Sequence, residues 1–151
     1  MKIPYFFFSA TIALSCLSAH GALLIENFGY ADGAIVGASG SPWVYTSGTA
    51  GQADVTSGAL NLTTAESEDV AAPFSSTATT GVITATFDVN FSALPTTGGA
   101  YFAHFVSTGV SPNFLGRVWS ARPTGTAAGA YRLGISNSTN TANFIAVDLA
   151  T

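Results

Sequence analysis

Residues 81–91 read GVITATFDVNF, and this stretch decides the fold class. Apolar and polar side chains alternate strictly along it. The apolar set is Ile83, Ala85, Phe87, Val89 and Phe91, and the polar set is Thr84, Thr86, Asp88 and Asn90. A period of two is typical of a β-strand with one buried and one solvated face. The sequence therefore predicts a strand over 81–91 in a β-rich fold.

Further strand patterns lie on both sides of this segment. After it we expect strands over 100–108, 113–121, 130–136 and 142–149; before it we expect them over 23–28, 43–46, 53–57, 59–63 and 70–74. Ser57 and Gly58 predict a tight hairpin turn. No sustained helical period appears after residue 22. About nine or ten strands, with turns every ~8–12 residues, predict a β-sandwich or barrel.

The first residues have the layout of a secretory signal peptide. A single positive charge at Lys2 precedes an almost uninterrupted apolar run over 3–17, and the small-x-small exit 19–21 follows. The run is shorter than the ~20 residues of a membrane-spanning helix. The sequence therefore predicts a signal peptide over 1–21 and a β-sandwich domain over 22–151. The alternative interpretation is that Cys16 is the lipid-attachment cysteine of a bacterial lipoprotein.

The charge and cysteine content of the chain limit the classes of partner that it can bind. Removal of Lys2 with the leader leaves three arginines and eight carboxylates, so the net charge goes from −4 to −5. An acidic chain without basic clusters argues against nucleic acid as a partner. Cys16 is the single cysteine, so the exported domain has no intrachain disulfide and relies on its core. The mature part also carries no apolar run that predicts a membrane anchor.

The densest group of acids is Glu66, Glu68 and Asp69. On a strand, the first two would share one face about 7 Å apart. Such carboxylates can bind Ca²⁺ through oxygen ligands or act as acid and nucleophile on a glycoside. A solvated acidic edge is the third interpretation. No cofactor motif is present, so Ca²⁺ is the one ion that the sequence leaves open.

A second group combines aromatic, basic and imidazole side chains on predicted strands. Rings of this kind can stack on sugars, and an arginine or histidine beside them can fix a ligand's orientation. The candidate ligand-binding residues are Trp43, Tyr101, His104, Arg117 and Trp119. Burial of these side chains in the core is the alternative. One histidine and no cysteine in the mature chain are too few ligands for zinc.

Several short segments resemble one group of exported proteins. These are LIENFGYADG (24–33), SPW (41–43), SGTAG (47–51), ESEDV (66–70), YFAHF (101–105) and YRLGIS (131–136). They look like segments of secreted bacterial proteins of unknown function that carry a concanavalin A-like (LamG-like) jelly-roll domain, often with C-terminal sorting signals. The resemblance implies a jelly-roll sandwich of two antiparallel sheets. Because such domains run longer, we expect this one to be incomplete at its C-terminus.

These observations predict a secreted or cell-surface module without catalysis that binds carbohydrate or has an adhesive or structural role. The expected partner is an extracellular polysaccharide or a cell-surface glycan. Two alternatives remain at this point. One is a glycoside hydrolase that uses Glu66 and Glu68, and the other is a passive spacer in a larger exported protein.

Overall fold

The computed structural model describes residues 22–75, 81–107, 114–137 and 142–150. The expected leader over 1–21, the strand end at residue 108 and the strand start at residue 113 lie outside these ranges. The described residues form strands and turns without a helix, so the predicted all-β class is confirmed. None of them forms a helix long and apolar enough to cross a membrane.

Ten strands are present in the described ranges. They are β1 (Gly33–Ala34), β2 (Val44–Ser47), β3 (Asp54–Thr56), β4 (Ala59–Asn61), β5 (Asp69–Ala71), β6 (Ala100–Val106), β7 (Phe114–Ala121), β8 (Ala130–Ser136), β9 (Asn143–Phe144) and β10 (Leu149–Ala150). The single strand expected over 142–149 is thus divided into β9 and β10, with residues 145–148 between them.

All strand pairs are antiparallel and they form three sheets. One has the order β1-β3-β4, the second pairs β2 with β5, and the largest has the order β10-β8-β7-β6 with β9 also paired to β8. We expected two sheets in a jelly-roll arrangement. The described strands confirm several antiparallel sheets, and the jelly-roll connectivity stays a prediction.

The largest sheet has two distinguishable faces. Trp119 of β7 lies opposite Tyr101 of β6 and Gly134 of β8, and we call this side the Trp119 face. Ser120 lies opposite Ala100 and Leu133, and we call that side the Leu133 face. Apolar residues at both parities of β6 to β8 are typical of long strands that are covered on both faces, but Ile135 on the Leu133 face is 57% exposed.

The segment 81–91 differs from its prediction. It is not part of any sheet among the described strands. Two of its apolar side chains still pack on the largest sheet. The Phe87 ring centroid lies 5.9 Å from that of Phe102, and the Phe91 ring centroid lies 4.6 Å from that of Tyr131. Phe87 and Phe91 thus contact the largest sheet, whereas Ile83 and Val89 are 39% and 44% exposed. No described strand pairs with the backbone of this segment.

The strand expected over 23–28 is also absent. Glu26 Oε1 accepts a hydrogen bond from the backbone N–H of Phe28 at 2.6 Å, and Phe28 has a left-handed φ of 51°. This local bond and the positive φ bend the chain out of an extended conformation.

The predicted hairpin turn is confirmed. Ser57 and Gly58 have φ values of 53° and 77° and connect β3 to β4. Positive φ at both central residues defines the type I′ turn, whose twist matches that of the strands it joins. Asp32 Oδ1 accepts a hydrogen bond from the Ser57 N–H at 2.8 Å and holds the turn against the residues before β1.

A small apolar core lies beside this hairpin. Ile35, Ala53 and Val55 are buried there. The partly buried side chains around them are Phe28, Tyr30, Val36, Trp43, Leu60 and Val70. Trp43 therefore packs against this core and does not form an exposed platform for a ligand.

Candidate functional site

Four of the five residues that we expected to bind a ligand lie together beside the Trp119 face. With two neighbours they form a group that we call the Tyr101 cluster. It consists of Asp69, Tyr101, His104, Phe114, Arg117 and Trp119. The pairing of β6 with β7 brings five of them together, and β5 of the two-stranded sheet contributes Asp69.

The Asp69 carboxylate is the centre of the polar contacts. The Tyr101 hydroxyl donates to it, with O–O distances of 3.1 and 3.2 Å, and the Ser47 hydroxyl donates to Oδ2 at 2.6 Å. His104 Nε2 lies 3.8 Å from Oδ1. The side chains of His104 and Asp69 are only 9% and 15% exposed. The cluster therefore joins β2 and β5 to β6.

The ionisation of Tyr101 follows from this environment. Burial raises the pKa of its hydroxyl, and the negative charge and hydrogen bond of Asp69 raise the pKa further. The Arg117 guanidinium acts in the opposite direction without reversing the shift. Tyr101 therefore stays protonated at neutral pH and serves as a hydrogen-bond donor.

The ring faces of the cluster are occupied by one another. The His104 and Phe114 rings stack with centroids 4.4 Å apart, and the Arg117 guanidinium carbon lies 4.9 Å from the Phe114 centroid. The same guanidinium carbon is 5.2 Å from the Tyr101 centroid. Cation–π contacts of this kind stabilise a partly desolvated cation. These contacts make the group cohesive in the absence of any ligand.

The Trp119 ring is closed to solvent. Trp119 is 9% exposed, and its Nε1 donates to the Ser136 hydroxyl at 2.9 Å. Its ring lies edge-on to Tyr101 with centroids 5.5 Å apart. A sugar-stacking ring must present a free face, so the surroundings of Trp119 favour a packing role.

Trp43 lies outside the Tyr101 cluster. Its Nε1 donates to Glu26 Oε2 at 2.7 Å, and its ring stacks on Phe28 with centroids 6.2 Å apart. The Tyr30 hydroxyl donates to the same carboxylate oxygen at 2.7 Å. The Glu26 carboxylate is thus the acceptor for three donors from two separate parts of the chain, counting the Phe28 N–H.

Burial alone would raise the pKa of Glu26. Hydrogen bonds from Tyr30, from Trp43 and from the backbone of Phe28 together outweigh it, so the pKa of this carboxyl lies below 4.5. The carboxylate is the form that these donors stabilise. Glu26 was not among our sequence candidates, since nothing in the local pattern shows that Trp43 would reach it.

The acidic residues 66, 68 and 69 have different partners. Glu68 Oε2 accepts hydrogen bonds from the N–H groups of Gln52 and Ala53, both at 2.7 Å. Burial raises the pKa of Glu68, but these bonds and that of Gly51 reverse the shift and lower it. Asp69 points instead to Tyr101 and Ser47. Within the described ranges, no group of three or more histidine, cysteine or acidic side chains has a geometry that could hold a metal ion.

One oxygen of Glu66 and one of Glu68 are buried without a hydrogen-bond partner. The other oxygen of Glu68 accepts hydrogen bonds from backbone N–H groups. This side chain therefore holds the loop that follows β2 in place. That placement does not favour the paired acid and nucleophile of a glycoside hydrolase, whose carboxylates must both face a substrate.

The Tyr101–Asp69 bond is a testable part of the cluster. We expect Tyr101→Phe to lower the free energy of unfolding by about 1–2 kcal/mol, because a partly buried hydrogen bond to a charged acceptor is lost. Tyr45→Phe is the matched control, since its hydroxyl donates to the Gly48 carbonyl at an exposed position. Urea unfolding followed by tryptophan fluorescence measures both. Equal losses in the two variants would contradict the role of Asp69.

Comparison with known proteins gives no relative to set beside this geometry. No family model matches the chain, and neither a curated protein nor a solved structure does.

Proposed function

We propose that the chain is an exported, non-catalytic β-module with an adhesive or structural role at the cell surface or outside the cell. The leader pattern over 1–21 supports export. The resemblance to jelly-roll proteins supports a sandwich architecture around the antiparallel sheets. In this proposal the module acts through contact with protein surfaces.

One observation carries the proposal: the aromatic and polar candidates are engaged with one another, while apolar side chains are exposed on the Leu133 face. Ile135 of β8 is 57% exposed, and Ile145, which lines the groove beside it, is 45% exposed. Leu133, Ile135 and Ile145 line a shallow groove with Asn143. Contiguous exposed apolar surface is a mark of protein contact sites.

Carbohydrate binding was the other half of our sequence expectation. It needs an exposed ring next to a concavity. Trp43 and Trp119 both use their indole N–H groups and ring faces inside the molecule. The described geometry therefore supports protein contact better than sugar stacking.

Two measurements on the chain exported from a bacterial host test this proposal. We expect adsorption to a protein-coated biosensor, and we expect Ile135→Thr to reduce it several-fold because exposed apolar area is lost. Val44→Thr is the matched control, as Val44 is 55% exposed and lies on β2. On a glycan array we expect only background.

Saturable binding to one glycan that is lost on Trp43→Ala would overturn the proposal in favour of a lectin. Hydrolysis of a polysaccharide that is lost on Glu68→Gln would overturn it in favour of an enzyme. Equal adsorption by the Ile135 and Val44 variants would show that the Leu133 face is not the contact surface.

A further inference from the structure

Both ring nitrogens of His104 face oxygen atoms that can only accept hydrogen bonds. Nδ1 lies 3.2 Å from the backbone carbonyl oxygen of Phe105, and Nε2 lies 3.8 Å from Oδ1 of the Asp69 carboxylate. A backbone carbonyl and an ionised carboxylate have lone pairs but no proton to donate. The ring therefore needs a proton on each nitrogen to match its surroundings.

A neutral imidazole cannot serve both oxygens. It carries one N–H group, so the nitrogen that lacks the proton turns its lone pair toward an acceptor. The imidazolium carries two N–H groups and points one at each oxygen. Its positive charge is also attracted to the charge of Asp69. The charged form is thus the one that this arrangement of oxygens favours.

The neighbouring rings hold the imidazole in this orientation. The His104 ring stacks on Phe114 with centroids 4.4 Å apart, and it lies edge-on to Tyr101 with centroids 5.7 Å apart. The side chains of His104 and Asp69 are 9% and 15% exposed, so salt screens the contact only in part. Because His104 belongs to β6 and Asp69 to β5, the contact connects two sheets.

Two further ionisable side chains belong to the surroundings of this ring. Tyr101, on the same strand, stays uncharged at neutral pH, because burial and Asp69 raise its pKa. Arg117 of β7 lies over the Phe114 ring, and its positive charge opposes that of an imidazolium. After residue 21, the segments outside the described ranges contain no ionisable side chain. The balance is therefore between Asp69, at the nitrogen itself, and Arg117 together with burial.

We propose that His104 is an acid-responsive link between the two-stranded sheet and the largest sheet. An imidazole changes its charge between about pH 5 and pH 8. Protonation of His104 adds a second contact to Asp69 beside the hydrogen bond from Tyr101, so β5 is held more firmly on β6 as the pH falls through this range. The inference concerns the Trp119 face and does not depend on adsorption at the Leu133 face.

Linkage fixes the sign of the effect. A contact that favours the protonated form in the folded chain stabilises that chain at low pH, and the stabilisation is lost as the pH rises. His104 is the single histidine of the exported chain, since His20 lies in the expected leader. The groups whose pKa the fold shifts move away from this pH range: Glu26, Glu68 and Asp148 downward, and Tyr30 and Tyr101 upward.

A double-mutant cycle tests the link. His104→Phe keeps a ring beside Phe114 but removes both nitrogens, and Asp69→Asn removes the charge. The coupling is the part of the shift in urea midpoint caused by one substitution that depends on the other. We expect this coupling to be about twofold larger at about pH 5.5 than at about pH 8, because a charge-assisted contact is about twice as strong as a neutral one.

The matched control is a cycle of His104→Phe with Asp54→Asn. The Asp54 carboxylate accepts hydrogen bonds from Thr56 and Asn61 on the β3–β4 hairpin, so its coupling to residue 104 should not change with pH. Single-molecule stretching gives a second readout that does not require Asp69→Asn to fold. The unmodified exported chain should rupture at a higher force at the lower pH, and His104→Phe should abolish this difference.

Three results would overturn the inference. The first is a coupling between residues 104 and 69 that is equal or smaller at the lower pH, since burial and Arg117 would then outweigh Asp69. The second is an equal rise in the Asp54 cycle, which would reflect the net charge of the chain. The third, decisive where Asp69→Asn does not fold, is a rupture force that is the same at both pH values. None of these outcomes bears on the adsorption difference between the Ile135 and Val44 variants.

Discussion

Replacement of Gly48 by alanine should cost about 4 kcal/mol or more in the free energy of unfolding. Gly48 has a φ of +87°, and a Cβ at this position would overlap the carbonyl of Ser67. Backbone atoms cannot move aside as the end of a flexible side chain can. The loop after β2 would have to separate from residues 66–69, and the hydrogen bonds that Glu68 accepts from Gln52 and Ala53 would be lost.

Gly51→Ala is the matched control for this prediction. Gly51 has a φ of +83°, and a Cβ there would meet no atom within 4 Å. Its expected cost is the ~1–2 kcal/mol of a left-handed conformation for an L-residue. Urea unfolding followed by tryptophan fluorescence compares the two. Equal losses would mean that the contact of Gly48 with Ser67 does not contribute to stability.

The second large effect is expected at Glu26. Its carboxylate accepts hydrogen bonds from Phe28, Tyr30 and Trp43. In Glu26→Gln, one acceptor oxygen becomes an NH₂ group that faces a donor. We expect a loss of about 2–3 kcal/mol, because hydrogen bonds to a charged acceptor are lost and donors are left unpaired. Glu66→Gln is the control, since the Glu66 Oε2 atom has no hydrogen-bond partner.

The same carboxyl should make stability depend on pH. The pKa of Glu26 is lower in the folded chain than its ordinary value of 4.5. Its contribution is therefore present in full above that value and is lost as the pH falls through the folded pKa. The stability difference between the unmodified chain and Glu26→Gln should shrink from pH 6 toward pH 3, measured by urea midpoints. A difference that stays constant across this range would contradict the assignment.

Local sequence patterns predicted the parts of the fold that depend on local geometry. The strands β6, β7 and β8 lie where apolar residues run together, and Ser57–Gly58 forms the turn that its residue types favour. Tyr101 and Trp119 came together because adjacent antiparallel strands place facing residues a few ångströms apart.

Contacts between distant parts of the chain could not be predicted in this way. The alternation in 81–91 identified the side that packs on Phe102 but contained no information about a backbone partner. Glu26 and Trp43 are separated by 17 positions, and Asp69 and Tyr101 by 32. Such pairings depend on how sheets meet, so the sequence showed Trp43 and Asp69 as candidates for a ligand rather than as partners of other side chains.

The position of Asp69 has a mechanical consequence. In the described part of the chain, the hydrogen bonds between β5 and the largest sheet converge on this carboxylate. An adhesive module bears tension when the surfaces it connects are pulled apart. A force that slides the two-stranded sheet past β6 would be resisted first at Asp69. Single-molecule stretching should therefore show a lower rupture force for Tyr101→Phe than for Tyr45→Phe.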